Sequence, residues 1–117
     1  MNPDHPSLQR GEVLLRLGTG SDEVLPADPA PSVRDLGAHA GFGQAWTSTS
    51  VRASVYLFDG YHDANAAEAR LAKQVPEGQR GAGTVNGDLL LWTTVKTTDE
   101  AGRAIVERLL GAFAGEE

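Results

Sequence analysis

Asp88-Leu89-Leu90-Leu91-Trp92-Thr93-Thr94-Val95 is the stretch of sequence that decides the fold. Its three leucines and a tryptophan in succession favour a central strand, or a strand that is covered on both faces. A second strand-like run spans Arg52 to Phe58. The run that begins at Arg52 leads into a helical pattern from about Gly60 to Val75. The run that begins at Asp88 leads into a helical pattern from about Thr98 to Ala114. This alternation predicts a small sheet with helices packed against it.

Each helical pattern carries an apolar stripe at three- and four-residue spacing, which marks the side of an amphipathic helix that faces a core. The stripes are Ala64, Ala67, Leu71 and Val75 in the first helix, and Ala101, Ile105, Leu109 and Phe113 in the second. Asp59 or Asp63 is predicted to cap the first helix. Thr97 and Glu100 have the spacing of a capping box for the second.

A hairpin is predicted between the two helices. Asn86-Gly87 suits a two-residue type I′ turn, because both central residues of that turn need positive φ. Residues 81–85 should therefore fold back on residues 88–92.

The first half of the chain carries weaker patterns. The apolar run from Glu12 to Leu17 predicts a strand, and residues 45–51 are predicted to be extended. Acidic residues and prolines between Ser21 and Pro31 predict a long surface loop. Ser32 is the expected N-cap of a short helix that reaches towards Ala40.

At 117 residues the chain has the length of one domain. Residues 1–10 contain two prolines and few apolar side chains, and we expect them to be a flexible N-terminal arm. Residues 11–117 are then a single α+β domain. We predict one layer of mostly antiparallel strands with the two main helices on one face, in a ferredoxin-like two-layer sandwich.

That arrangement leaves the second face of the sheet short of cover. Residues 1–43 offer only a short strand, a short helix and a loop to cover it. A partly uncovered face is an apolar patch, and such patches are typical of contact with a partner or ligand. We therefore predict an open sheet face through which the protein forms a homodimer.

Composition excludes several classes of function. The 16 acidic and 10 basic residues give a formal net charge of −6, which disfavours binding to nucleic acid or to anionic membranes. The chain has no cysteine, so disulfides, thiolate nucleophiles and cysteine-ligated metals are excluded. The histidines at 5, 39 and 62 lack metal-ligand spacing, and we predict neither metal nor cofactor. The first residues lack a secretion signal and no run is long enough to cross a bilayer, so we expect a cytoplasmic protein.

The segment from Phe58 to Asp63 is the strongest candidate for a catalytic site, because it places an imidazole, a phenol and two carboxylates between a strand and a helix. His62 would act as a general base oriented by Asp59 or Asp63. The competing interpretation is that both aspartates only cap the helix and that His62 is simply exposed.

Large aromatic side chains are the candidates for ligand or interface contacts. These are Trp46, Tyr56, Tyr61 and Trp92, with Arg52 placed to hold an anionic group. The competing interpretation puts most aromatics in the core, with Trp46 as the exception.

Two functions follow from these patterns. The leading hypothesis is a non-catalytic protein-binding or regulatory module, which acts through a protein partner or through self-association. The alternative is a small-molecule-binding protein or a small acid–base enzyme that uses the loop at 59–63. Neither the partner nor the ligand is specified by the sequence.

Overall fold

The fold is an α+β arrangement built on a five-stranded antiparallel sheet. A computed structural model describes residues 6–114. In chain order the elements are α1 (Pro6–Thr19), β1 (Val24–Ala27), α2 (Val33–Leu36), β2 (Ala40–Trp46), β3 (Arg52–Leu57), α3 (Tyr61–Ala72), β4 (Gln79–Asn86), β5 (Leu89–Lys96) and α4 (Glu100–Phe113). The strand order is β1-β2-β3-β5-β4, and each strand is antiparallel to its neighbours.

The predicted order of strand, helix, hairpin and helix is confirmed from β3 to α4. The ferredoxin-like topology is not confirmed. That topology is built from split β-α-β units, in which a third strand lies between the two strands of the unit, whereas β1 and β2, which are joined through α2, are direct antiparallel neighbours here. The connection through α3 leaves β3 and β4 on either side of β5.

Helices cover both faces of the two central strands. Alternate side chains of a strand point to opposite faces, and Val55, Leu89 and Leu91 pack on one face with residues of α1 and α4. Tyr56, Leu90 and Trp92 pack on the other face with residues of α2 and α3.

The prediction that both main helices share one face was therefore wrong, because α3 and α4 lie on opposite sides. The open sheet face was also wrong for β3 and β5, whose residues from Ala53 to Leu57 and from Leu89 to Thr93 are 0–4% exposed. No helix within residues 6–114 combines the length and the apolar character needed to cross a membrane.

Helix α1 replaces the strand that was predicted over Glu12–Leu17. It also includes residues 6–10 of the predicted arm, whereas residues 1–5 lie outside the described part of the chain. The buried positions Leu8, Gly11, Leu15 and Gly18 follow a helical spacing, but two of them are glycines and carry no hydrophobic signal. A Cβ on Gly18 would lie 2.8 Å from Leu109 Cδ2, so close packing of α1 on α4 requires a glycine there.

The loop predicted over residues 21–31 contains the edge strand β1 in its middle. Pro26 lies in this strand, and proline is tolerated at an edge because no neighbour needs its missing N–H. The short helix is confirmed as α2, with the Ser32 hydroxyl accepting a hydrogen bond from the Asp35 N–H at 3.1 Å.

The hairpin is confirmed, but its turn differs from the prediction. Asn86 pairs with Leu89, so Gly87 and Asp88 are the central residues. Gly87 has a φ of 64°, and no described residue other than glycine has positive φ. Glycine at the first central position is the preference of a type II′ turn, whereas type I′ would need positive φ at both.

The N-caps of α3 and α4 also differ from the predicted ones. Gly60, and neither Asp59 nor Asp63, is the N-cap of α3, and no side chain caps it. Asp99, rather than Thr97, is the N-cap of α4 and accepts the Gly102 N–H at 2.8 Å.

Asp99 also fixes the turn between β2 and β3. Its carboxylate accepts the backbone N–H of Ser50 at 2.8 Å and the Ser50 hydroxyl at 2.7 Å. The hydrogen bonds from Ser50, followed by that from Gly102, hold the pKa of the Asp99 carboxyl below its ordinary value. One carboxylate thus joins the start of α4 to the turn between β2 and β3.

Substitution of Gly18 by alanine should destabilise the protein by about 1–3 kcal/mol, because the added methyl group overpacks the α1–α4 contact. Urea unfolding would measure the change. Gly111→Ala is the matched control, since a Cβ there meets nothing within 4 Å and alanine favours the helix by up to about 1 kcal/mol. Equal stability of the two variants would contradict the packing argument.

Substitution of Asp99 by alanine should lower stability at neutral pH by an amount that shrinks in acid. A carboxyl whose folded pKa is depressed stabilises the fold above its unfolded pKa of about 3.9. This stabilisation is lost as the pH falls through the lower folded pKa. Unfolding of both proteins between about pH 2 and pH 7 would measure the difference. Glu100→Ala, in the same helical turn, is the control, and a pH-independent difference for Asp99→Ala would refute the assignment.

Candidate functional site

The predicted acid–base segment forms one side of a surface cleft of about 430 Å³. Asp59 and Asp63 line this cleft together with His39 and Arg70. His39 Nε2 contacts Asp59 Oδ1. The pair is largely solvated, because the side chains of His39 and Asp59 are 59% and 76% exposed.

His62 does not take part in this cleft. It is exposed on the first turn of α3, and no hydrogen bond joins it to Asp59 or Asp63 among residues 6–114. The cleft therefore offers a carboxylate-bound imidazole from His39 in place of His62. Within the described chain, no group of three or more histidine or acidic side chains converges to hold a metal ion.

His39 is a residue that the sequence interpretation had set aside. The backbone N–H of His39 bonds to the Leu57 carbonyl at 2.8 Å, which places it beside Asp59. Recognition of the β2–β3 hairpin in the sequence would have indicated this position, because the register that pairs Ala40 with Leu57 continues to it.

The predicted aromatic residues divide between core and surface. Tyr61 is 61% exposed, whereas Trp46, Tyr56 and Trp92 are 5%, 0% and 4% exposed and lie in the core. The Trp46 indole donates to Asp22 at 3.0 Å. This hydrogen bond, with a further contribution from the Arg108 guanidinium, lowers the pKa of the Asp22 carboxyl. Trp46 therefore has a structural role, because its indole N–H is already hydrogen-bonded to Asp22.

Trp92 and Arg52 lie together in a groove on the α3 face of the sheet, which we call the Arg52 groove. Its volume is about 380 Å³. The loop at residues 30 and 31 forms one wall and the end of α3 the other; the lining residues are Ala30, Pro31, Arg52, Leu71, Gln74, Val75, Pro76, Gln79, Trp92 and Thr94. The structure thus brings two of the five predicted ligand or interface residues into one concave surface.

Glycine in β4 gives Trp92 its position at this groove. A Cβ on Gly81 would lie 2.5 Å from Trp92 Cζ2 and 2.6 Å from Val75 Cγ2. The indole and Val75 therefore occupy the space above β4 that a side chain would take elsewhere.

Arg52 is the charged residue of the groove. Its guanidinium makes a 3.5 Å contact to the Asp28 carbonyl, and no carboxylate lies within 4.0 Å of it among the described residues. An exposed guanidinium beside an apolar floor can bind a carboxylate through charge-assisted hydrogen bonds.

The loop wall of the groove is anchored to the sheet by two hydrogen bonds. Ser54 Oγ accepts the Ala30 N–H at 3.1 Å, and the Tyr56 hydroxyl donates to the Pro31 carbonyl at 2.5 Å. Burial raises the pKa of Tyr56 to about 12. Tyr56 thus supports the groove from below without lining it.

A third cavity, of about 370 Å³, lies on the other face, between α1 and strands β1 and β2. Thr19, Gln44 and Asp22 already have partners there, and the charged residues Glu12 and Arg16 also line the cavity. Thr19 donates to the Leu15 carbonyl at 2.7 Å and accepts from Gln44 at 2.8 Å, and Asp22 binds Trp46 and Arg108. These bonds serve packing, and the carboxylates of Glu12 and Asp22 line this cavity, whereas no carboxylate lines the Arg52 groove. The Arg52 groove is therefore the better candidate for an anionic ligand.

Several groove residues were not selected from the sequence. Pro31 and Pro76 carried only turn signals, and Leu71 and Val75 carried only the signal of a buried helix stripe. Their convergence depends on α3 crossing the face that α4 does not occupy. Comparison of the chain with protein-family models, with curated proteins and with solved structures gave no match.

Alkaline titration should reveal Tyr56 as a tyrosine that ionises near pH 12, measured by absorbance at 295 nm. A raised folded pKa means that the stabilisation is complete below the ordinary value of about 10 and is lost as the pH rises to the folded value. Stability should therefore fall between about pH 10 and pH 12. Tyr56→Phe should remove this slope, and Tyr61→Phe, at an exposed tyrosine, should leave it. An identical slope in the Tyr56→Phe variant would contradict the assignment.

Proposed function

We propose that the protein is a non-catalytic binding module whose Arg52 groove holds an extended segment of a partner protein. The segment is apolar and carries one carboxylate. The observation that carries this proposal is the position of an exposed guanidinium, free of any carboxylate within residues 6–114, at the edge of an apolar concavity.

Charge supports an anionic partner group at this position. The whole chain has a net charge of −6, yet Arg52 is the charged member of the groove lining, and no acidic residue is among the lining residues. A carboxylate that approaches the groove therefore gains an ion pair at close range.

The shape of the groove supports a peptide. A small-molecule site usually buries most of its ligand, whereas the Arg52 groove is intermediate between an enclosed cavity and an open surface. Its walls include Pro31 and Pro76, whose fixed φ limits the reorganisation that binding would cost. A segment lying in the groove would keep one side in water, as extended peptides do.

The lining residues argue against catalysis in the groove. They include no histidine, aspartate, glutamate or serine, and those are the side chains that most often serve as acid, base or nucleophile. These residues can instead recognise a ligand by its shape and charge.

A library of blocked heptapeptides with a central glutamate and apolar flanks is the probe for this function. Members that bind should shift the NMR signal of the Trp92 indole N–H and leave that of Trp46 unchanged. Loss of one charge-assisted hydrogen bond costs about 1.5–3 kcal/mol. Arg52→Gln should therefore weaken binding at least about tenfold.

Two matched controls define the result. Arg34→Gln removes an exposed guanidinium outside the groove and should leave the affinity unchanged, and replacement of the central glutamate by glutamine should reproduce the loss in Arg52→Gln. Absence of binding by every peptide at about 1 mM, the weak limit of specific recognition, would refute the proposal.

A further inference from the structure

We propose that β4 pairs with β4 of a second copy of this chain, in antiparallel orientation about a twofold axis at Gly83. The interface is an edge of the sheet, so it is distinct from the open sheet face predicted from the sequence. The proposal does not rest on the proposed function of the Arg52 groove.

The two edges of the sheet differ in how they are protected. The edge strand β1 has four residues, one of which is Pro26. β4 has eight residues, no proline and one charged residue, Arg80. Natural sheets shield their edges with short strands, prolines and charges, because an unpaired edge is a template for another strand.

The register of each edge shows which backbone groups are unpaired. Thr47 donates to the Glu23 carbonyl, so alternation along the antiparallel pair makes Val24 and Pro26 face outward. Pro26 has no N–H to offer. In the β4–β5 hairpin, the two-residue turn makes Asn86 and Leu89 a hydrogen-bonded pair.

By the same alternation, Gly81, Gly83 and Val85 direct both N–H and C=O away from β5. Within residues 6–114 these groups have no hydrogen-bond partner. The unpaired row is therefore a run of three residues on the longer edge.

A second copy satisfies this row completely. With the axis at Gly83, Gly81 of each copy meets Val85 of the other and the two Gly83 residues meet each other. Each of these pairs exchanges two N–H···O=C bonds, so all three donors and all three acceptors of both copies are used. The intervening pairs set Ala82 against Thr84 and Arg80 against Asn86, which brings no like charges into opposition along the strands.

A groove of about 160 Å³ adjoins this edge, between β4 and α4, and it is lined by Val106 and Leu110 together with the charged residues Arg80, Arg103 and Glu107. Helix α4 of the second copy would close its open side. Glu68 lies against Gly83, so the two copies of Glu68 approach the axis and weaken the association. We therefore expect a dimer at about 100 μM chain and a monomer at about 1 μM, as for a small interface.

Light scattering on two variants of Val85 tests the pairing. Val85→Pro removes an outward N–H and should be monomeric at about 100 μM. Val85→Thr keeps the N–H and the branched shape and should remain a dimer, and circular dichroism would show that both are folded. A wild-type protein that is monomeric at this concentration, or a folded Val85→Pro variant that is still dimeric, overturns the proposal.

Cysteine pairs test the register, and they do not depend on the proline variant folding. The chain has no native cysteine. Ala82→Cys with Thr84→Cys places thiols at directly opposed positions, where Cα atoms about 4.5 Å apart can form a disulfide. Oxidation should then give a covalent dimer. Arg80→Cys with Thr84→Cys places them on a diagonal of roughly 7–8 Å, beyond the usual range. Equal cross-linking of the two pairs, or none in the first, overturns the register.

Discussion

Burial on both faces of β3 and β5 is the constraint on which the rest of the structure depends. Val55 and Leu91 pack towards α1 and α4, whereas Tyr56 and Leu90 pack towards α2 and α3. Strands of this kind cannot lie at an edge or leave one face in water without exposing apolar area. The chain therefore needs helices on both sides of the sheet and a neighbouring strand on each side of the central pair.

The same constraint explains which parts of the fold the sequence could predict. The central strands and the helices α3 and α4 have long, regular apolar patterns, and each was located correctly. Helix α1 was missed because Gly11 and Gly18 occupy two of its five buried positions, where Val55 crowds a Cβ at Gly11 and Leu109 leaves no room for one at Gly18. With α1 misassigned as a strand, the sheet seemed to lack a cover that the two-faced pattern of Leu89 to Trp92 already required.

The sequence identified some residues of the candidate site but not their arrangement, because strand pairing determines which residues come together. Arg52 and Trp92 were selected as single residues, and only the pairing of β3 with β5 places both on the α3 face. His39 was set aside because it lies far from His62 along the chain, whereas the β2–β3 register places it beside Asp59. Sequence separation says little about proximity in an antiparallel sheet, and turn positions that set the register are the least certain part of a sequence interpretation.

Glycine in β4 connects the candidate groove to the sheet edge. Trp92 and Val75 lie directly above Gly81, so close that a Cβ on Gly81 would clash with both side chains, and Glu68 lies close above Gly83. Because Gly81 and Gly83 have no side chains, the Trp92 indole can extend over the edge strand β4. The same glycines leave the backbone of β4 unshielded. A bulky or charged residue in place of Gly81 would protect the edge, but it would displace the indole. The exposed edge is thus a direct consequence of how the groove is built, which explains why this strand lacks the protection that Pro26 gives to β1.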